Sequence, residues 1–158
     1  LRWFSIQFGA VFTLFMIAAL GSWYEGSGIL NDPWEWKYSA PLSTLIHGDI
    51  TSESQILQLD HFVYAAKFQP LLPLIMVFSG LYLLLLIAYR LFRQRIRLFA
   101  GLLVTTAVLL FALSYAVYPS PTAGGHMFFY SGLSAGLLTL SCAALYYRGQ
   151  KPGQEQQV

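Results

Sequence analysis

Four long apolar stretches, separated by shorter polar ones, dominate the chain. Trp3 to Trp23, Leu71 to Tyr89, Leu98 to Tyr118 and Met127 to Tyr147 contain no Asp, Glu, Lys, Arg or His. Each reaches the roughly 20 residues that an α-helix needs to cross a hydrocarbon core. Lipid offers the backbone no hydrogen-bond partner, and a barrel strand would alternate with polar residues instead of running on as in LYLLLLIAY. The pattern therefore predicts an all-α polytopic membrane protein with four transmembrane helices, over about 3–23, 71–89, 98–118 and 127–147. The first is too long for a signal-peptide core and has no small-x-small cleavage site before Trp23, so it is expected to stay attached.

The segment between the first two helices, about 24–69, has a different texture. In NDPWEWK, Asp32 is placed to cap a helix, Pro33 occupies its first position, and Glu35 follows three residues after the cap. Pro41 marks a second start and Gly48 a stop. Ser52 and Gln55 have capping-box spacing ahead of Ile56, Leu59, Phe62 or Val63, and Ala66, which predicts an amphipathic helix of about four turns. This segment is expected to be a compact helical cap of two or three short helices, since it lacks the Gly/Ser or Pro-rich composition of a linker. The other connections are a basic turn, RLFRQRIR, and a tight turn, PSPTAGG. Residues 1–150 read as one domain without internal repeats, and residues 151–158 as a disordered cytoplasmic tail.

Composition agrees: 56% of residues are hydrophobic and 10% charged, too apolar for a soluble domain of 158 residues. Charge sorting sets an orientation. Arg2, Arg90, Arg93, Arg95, Arg97, Arg148 and Lys151 fall on one side of the predicted helices, while Glu25, Asp32, Glu35, Asp49, Glu53 and Asp60 fall on the other. By the positive-inside bias both termini face the cytoplasm and the cap is extracytoplasmic. Trp23, Trp34 and Trp36, with Tyr24 and Tyr38, are then expected as interfacial anchors. The arginine turn is a topology signal and a candidate contact for anionic lipid headgroups through Arg90, Arg93, Arg95 and Arg97. Gly132 and Gly136 form a G-x-x-x-G in the fourth helix, continued by Thr139 and Ala143, which predicts close helix packing there.

Several function classes fall away. Ion-coupled transport normally uses ionisable groups at membrane depth, and the four stretches have none. Thiol–quinone redox chemistry needs cysteine pairs, whereas the chain has one cysteine, Cys142, expected as a small packing residue. Nucleic-acid binding lacks a basic domain. No cofactor is predicted, because His126 has no partner histidine in the membrane for a haem. If a catalytic or metal site exists, its candidates are His47, Asp49, Asp60, His61 and His126, all on the outer side, although no H-E-x-x-H, C-x-x-C or G-x-S-x-G is present. Glu25, in WYEGS, has no assigned task beyond a hydrogen bond into the cap or a ligand contact.

SWYEGSGILNDPWEWKYSAP together with QLDHFVYAAKFQP resembles a small, functionally uncharacterised family of integral membrane proteins from Bacillus-type bacteria, the YjdJ-like proteins. The likeness covers roughly residues 1–90. It implies a bacterial plasma membrane and brings no activity. The reading that follows is a non-catalytic accessory or interaction protein that presents a folded, acidic, Trp-rich outer loop to a protein, lipid or wall partner, with self-association also open. The alternative is a membrane enzyme with an outer histidine and carboxylate site acting on an extracytoplasmic or lipid-linked substrate.

Overall fold

The computed structural model describes residues 2–150; the tail expected over 151–158 lies outside them. Seven α-helices follow one another: α1 Arg2–Gly26, α2 Trp36–Ser39, α3 Pro41–His47, α4 Gln58–Phe68, α5 Leu71–Phe92, α6 Ile96–Val117 and α7 Ala123–Gln150. No strand occurs among the described residues. Four helices, α1, α5, α6 and α7, are long and apolar enough to cross a membrane. Each extends beyond its predicted stretch at one or both ends; α6 starts two residues early, at Ile96, and stops one residue short of Tyr118. Arg90 therefore lies inside α5, and only residues 93–95 separate α5 from α6.

The chain divides into two compact units. The first contains residues up to Leu81 and 121–125, and the second contains 82–120 and the chain from His126 onward. In the first unit, the connector between α1 and α5 is folded around Ile29, Trp36, Ala40 and Ile56, with Leu30, Ile50 and Tyr64 packed against them. Proline opens its elements as expected. Pro33 starts a 3-10 turn, Pro33–Glu35, and Pro41 starts α3. Gly48 closes α3 with φ 73°, a left-handed conformation that favours glycine. Asp32 departs from its expected role, making no side-chain capping bond.

The predicted four-turn amphipathic helix takes a different form. The Gln55 amide oxygen accepts the Thr51 and Ser52 N–H groups at 2.8 and 3.3 Å, but this closes only the 3-10 turn Glu53–Gln55. Ile56 and Leu57 are then extended, and α4 begins at Gln58 with 11 residues. The break has a local cause: Ile56 enters the connector core and the Leu57 N–H is drawn to Ser43 Oγ at 2.8 Å. The buried face is also shifted, although Ile56 is buried and Phe62, Val63 and Ala66 are half-buried as the spacing implies. The buried residues of α4 are Asp60, His61 and Ala65, while Leu59 is 61% exposed.

At residues 121–125 of the same unit, Thr122 Oγ1 accepts the Gly125 N–H at 3.1 Å, starting α7 earlier than expected. Gly124 lies against the Ala66 and Lys67 carbonyls, where no Cβ could fit.

In the second unit α6 buries Phe99, Leu103, Ala107, Leu110 and Ser114, one face at helical spacing. Phe99 meets Tyr89 and Tyr146 edge-on, with centroids 5.6 and 5.0 Å apart. Gly132 lies against Ser114, and a Cβ on Gly136 would stand 2.6 Å from the Phe111 ring, so both glycines of the G-x-x-x-G face α6. Cys142 is exposed, outside this packed face, and differs from its expected role as a packing residue. Hydroxyls along the long helices bond back to their own carbonyls, as Thr13 does to Gly9, Ser79 to Ile75 and Thr139 to Ala135.

Candidate functional site

The most polar interior in the first unit lies where α1 meets α4. Ala18, Ser22 and Gly26 recur every four residues on α1 and are all buried, forming a stripe of small side chains. At Gly26 the His61 carbonyl of α4 approaches so closely that any Cβ would collide with it. Close backbone approach brings polar groups inside with the small ones. Ser22 Oγ, Glu25 Oε2 and both ring nitrogens of His61 are buried without a hydrogen-bond partner.

His61 is 2% exposed and stacks on Trp23, with centroids 6.1 Å apart. Burial pushes its imidazole below the usual range, while the Trp23 backbone and the neighbouring Asp60 charge oppose this in part. Trp23 is tied to the same helix by its indole, whose Nε1–H donates to Gln58 Oε1 at 2.6 Å.

Asp60, although next to His61, faces another element. Its Oδ1 accepts the Leu42 N–H at 3.0 Å and its Oδ2 the Ser43 N–H at 2.8 Å, with the Ser43 hydroxyl donating to Oδ2 as well. Leu42 and Ser43 are the second and third residues of α3, so the Asp60 carboxylate supplies the cap that Ala40 cannot.

A third polar group closes the connector. Glu35 Oε2 accepts from Ser39 Oγ at 2.6 Å and from Lys67 Nζ at 3.1 Å, and Lys67 also donates to Ser39 Oγ at 2.7 Å. The Ser39 hydroxyl is the main cause holding the Glu35 carboxyl below its ordinary range; burial opposes it and Lys67 assists. Tyr64 is pushed up, first by burial and then by the negative charges of Asp32 and Glu35.

The four sequence candidates of the first unit, His47, Asp49, Asp60 and His61, are thus not gathered into one catalytic centre. Asp60 and His61 are buried with different partners, whereas His47, Asp49 and His126 are exposed. No group of three His, Cys, Asp or Glu that could hold a metal occurs among the described residues. Trp36 also departs from its expected place at an interface. It is buried in the connector core, donating from Nε1 to Ile29 O at 2.8 Å, while Trp34 is 87% exposed. Glu25 lines an open groove of about 470 Å³ together with Tyr24, Ser27, Gly28, Gln69, Gly21 and Leu72.

Sequence reasoning missed Ser22, Ser39, Ser43 and Lys67. The A-x-x-x-S-x-x-x-G spacing of Ala18, Ser22 and Gly26 was the available signal for the first of these.

These features define an all-helical chain with four helices capable of crossing a membrane and a folded connector between the first two. The family description "Domain of unknown function (DUF4306)" matches residues 5–92, more than half of the chain, and the chain belongs to this family. It is also similar to the Uncharacterized protein YjdJ of Bacillus subtilis (strain 168), 40% identical over 81 residues, covering 50% of this chain and 74% of that relative. No solved structure matches. The family match runs from α1 to the end of α5 and includes every residue of the connector; α6 and α7 fall outside it.

Proposed function

We propose that the chain is a non-catalytic scaffold of a bacterial plasma membrane that holds the folded connector on the outer side for contact with a lipid surface, a membrane protein partner, a wall component or a second copy of itself. The observation that carries this reading is that the connector, besides its apolar core, exposes several large apolar side chains. It buries Ser39, Ser43, Asp60 and His61 while presenting Trp34, Tyr38, Leu45, Ile46 and Leu59 outward. Leu45 is 83% exposed on α3, and such residues facing bulk water would cost hydrophobic free energy that an apolar neighbour recovers. The carboxylates Asp60 and Glu35 have structural partners, which leaves them little freedom for acid or base chemistry. Arginines sorted to one side in sequence support cytoplasmic termini.

The test is purification of the tagged full-length protein from its native membrane in mild detergent, with co-purifying proteins identified by mass spectrometry, alongside the Leu45→Asp variant. The expected result is a stoichiometric partner lost in the variant. Recovery of both proteins alone, with unchanged lipid content, would count against the reading.

A further inference from the structure

In the second unit α6 and α7 run antiparallel, because Phe99 meets Tyr146 whereas Phe111 and Ser114 meet Gly136 and Gly132. Between them lies an open groove of about 400 Å³. Arg97 and Tyr147 stand at one end, Val104 and Leu140 towards the other, and Gly101 and Ala144 between them. The seven residue steps from Arg97 to Val104 give a length of about 10 Å along α6. The walls are almost wholly apolar except at the arginine end.

That end is strongly cationic. Arg90, Arg93, Arg95, Arg97 and Arg148 are all exposed, and the described residues of this unit include no Asp or Glu. The ion pair in the described structure, Lys67–Glu35, involves none of them. A cationic mouth with an apolar trough leading away from it matches a molecule with an anionic head and a hydrocarbon tail.

We propose that this groove binds an anionic phospholipid. The phosphate pairs with the Arg97 guanidinium, whose planar donor fork suits phosphate oxygens. One acyl chain lies along Gly101 and Ala144 towards Val104 and Leu140, where small side chains leave room for it. The neighbouring arginines add attraction without defining the position. The proposal rests on the membrane reading above and adds a defined site to it.

The test uses the full-length protein in mild detergent, with bound phosphatidylglycerol and phosphatidylcholine counted by native mass spectrometry. Gly101→Leu fills the trough, and a Cβ at Gly101 meets nothing within 4 Å, so the variant should fold. Arg97→Gln removes the head contact, and Arg90→Gln removes the same charge outside the groove. The expected result is preference for phosphatidylglycerol, reduced about fivefold by Arg97→Gln and comparably by Gly101→Leu, with a smaller loss for Arg90→Gln. Equal losses for the two arginine variants with none for Gly101→Leu would indicate diffuse charge attraction and overturn the site, as would equal uptake of both lipids by the wild type. Carbonate-resistant pelleting of the wild type is measured in parallel: a protein that stays in the supernatant sinks the membrane reading itself, whereas pelleting without selective lipid uptake sinks only the groove.

Discussion

Asp60 and Ser43 hold each other across the start of α3: the Asp60 carboxylate accepts both the backbone N–H and the hydroxyl of Ser43. The same hydroxyl oxygen accepts the Leu57 N–H at 2.8 Å, so each of α3 and α4 has a terminus satisfied by a side chain of the other. Two short helices that would be marginal alone thereby become one unit. Asp60→Asn keeps the shape but gives up the charge and at least one acceptor. It should destabilise the protein by about 2 kcal/mol, because bonds to a buried carboxylate exceed neutral ones and their donors lose their partner. The thermal midpoint in detergent measures this, and an unchanged midpoint would show that the Asp60–Ser43 contact contributes little.

His61 should make stability depend on pH. Its imidazole titrates below the usual value because burial disfavours the cation. The unfolded chain then takes up the proton before the folded one does, so this contribution is intact above about pH 6.5 and is lost as pH falls through the folded value. Wild type should unfold more easily at pH 5 than at pH 7.5, and His61→Leu should flatten that part of the profile. Glu35 acts in a lower window. Its depressed carboxyl stabilises the fold above about pH 4.5 and loses that effect as pH falls further, a loss that should persist in His61→Leu. A profile identical in the two proteins between pH 7.5 and 5 would assign the dependence to another group.

Two glycines of α1 should respond in opposite directions to alanine. At Gly9 a Cβ meets nothing within 4 Å, so Gly9→Ala should stabilise the helix by up to about 1 kcal/mol. At Gly26 the added methyl would enter the His61 carbonyl, forcing α1 and α4 apart, and Gly26→Ala should destabilise by about 1–3 kcal/mol in spite of better helix propensity. Thermal midpoints of the two variants, measured together, separate contact from propensity. A stabilised Gly26→Ala would mean that the α1–α4 contact leaves room for a methyl group.

Much of the architecture is readable in the sequence, for a physical reason. A helix that can span a bilayer must be nearly continuous in apolar residues, so Leu71 to Tyr89 or Leu98 to Tyr118 announce themselves without knowledge of their neighbours. Pro33, Pro41 and Gly48 likewise act locally, through a missing N–H or a tolerated φ. The candidate site was harder to read because its contacts join positions distant in sequence. Asp60 caps a helix that begins 19 residues earlier, and Lys67 reaches Glu35 across 32 residues. Helical periodicity alone placed Leu59 inside and left Asp60 as a solvent-facing or catalytic candidate. It could not show that α3 lacks a cap of its own and draws that carboxylate inward. Glu25 stayed unassigned for the same reason: its surroundings include Gln69 and Leu72, which no local rule connects to it.

Trp34 and Trp36, two residues apart in the same motif, should behave as different kinds of tryptophan. Trp36 is buried against Ile29, Ala40 and Ile56, and its Nε1–H satisfies the Ile29 carbonyl. Trp36→Phe removes the indole donor, leaving the Ile29 carbonyl with the Asp32 N–H alone, and opens space in the connector core, so it should cost about 2 kcal/mol. Trp34 is 87% exposed and holds no comparable position, so Trp34→Phe should leave the thermal midpoint nearly unchanged. Fluorescence provides an independent measure when the protein is reconstituted in vesicles containing brominated lipid. Quenching that is diminished by Trp34→Phe but retained in Trp36→Phe would place the exposed ring against the bilayer, in line with an outward apolar face that contacts lipid. Insensitivity to brominated lipid together with strong quenching by soluble acrylamide would put Trp34 in water, and the outward residues Leu45 and Ile46 would then need a protein surface to cover them.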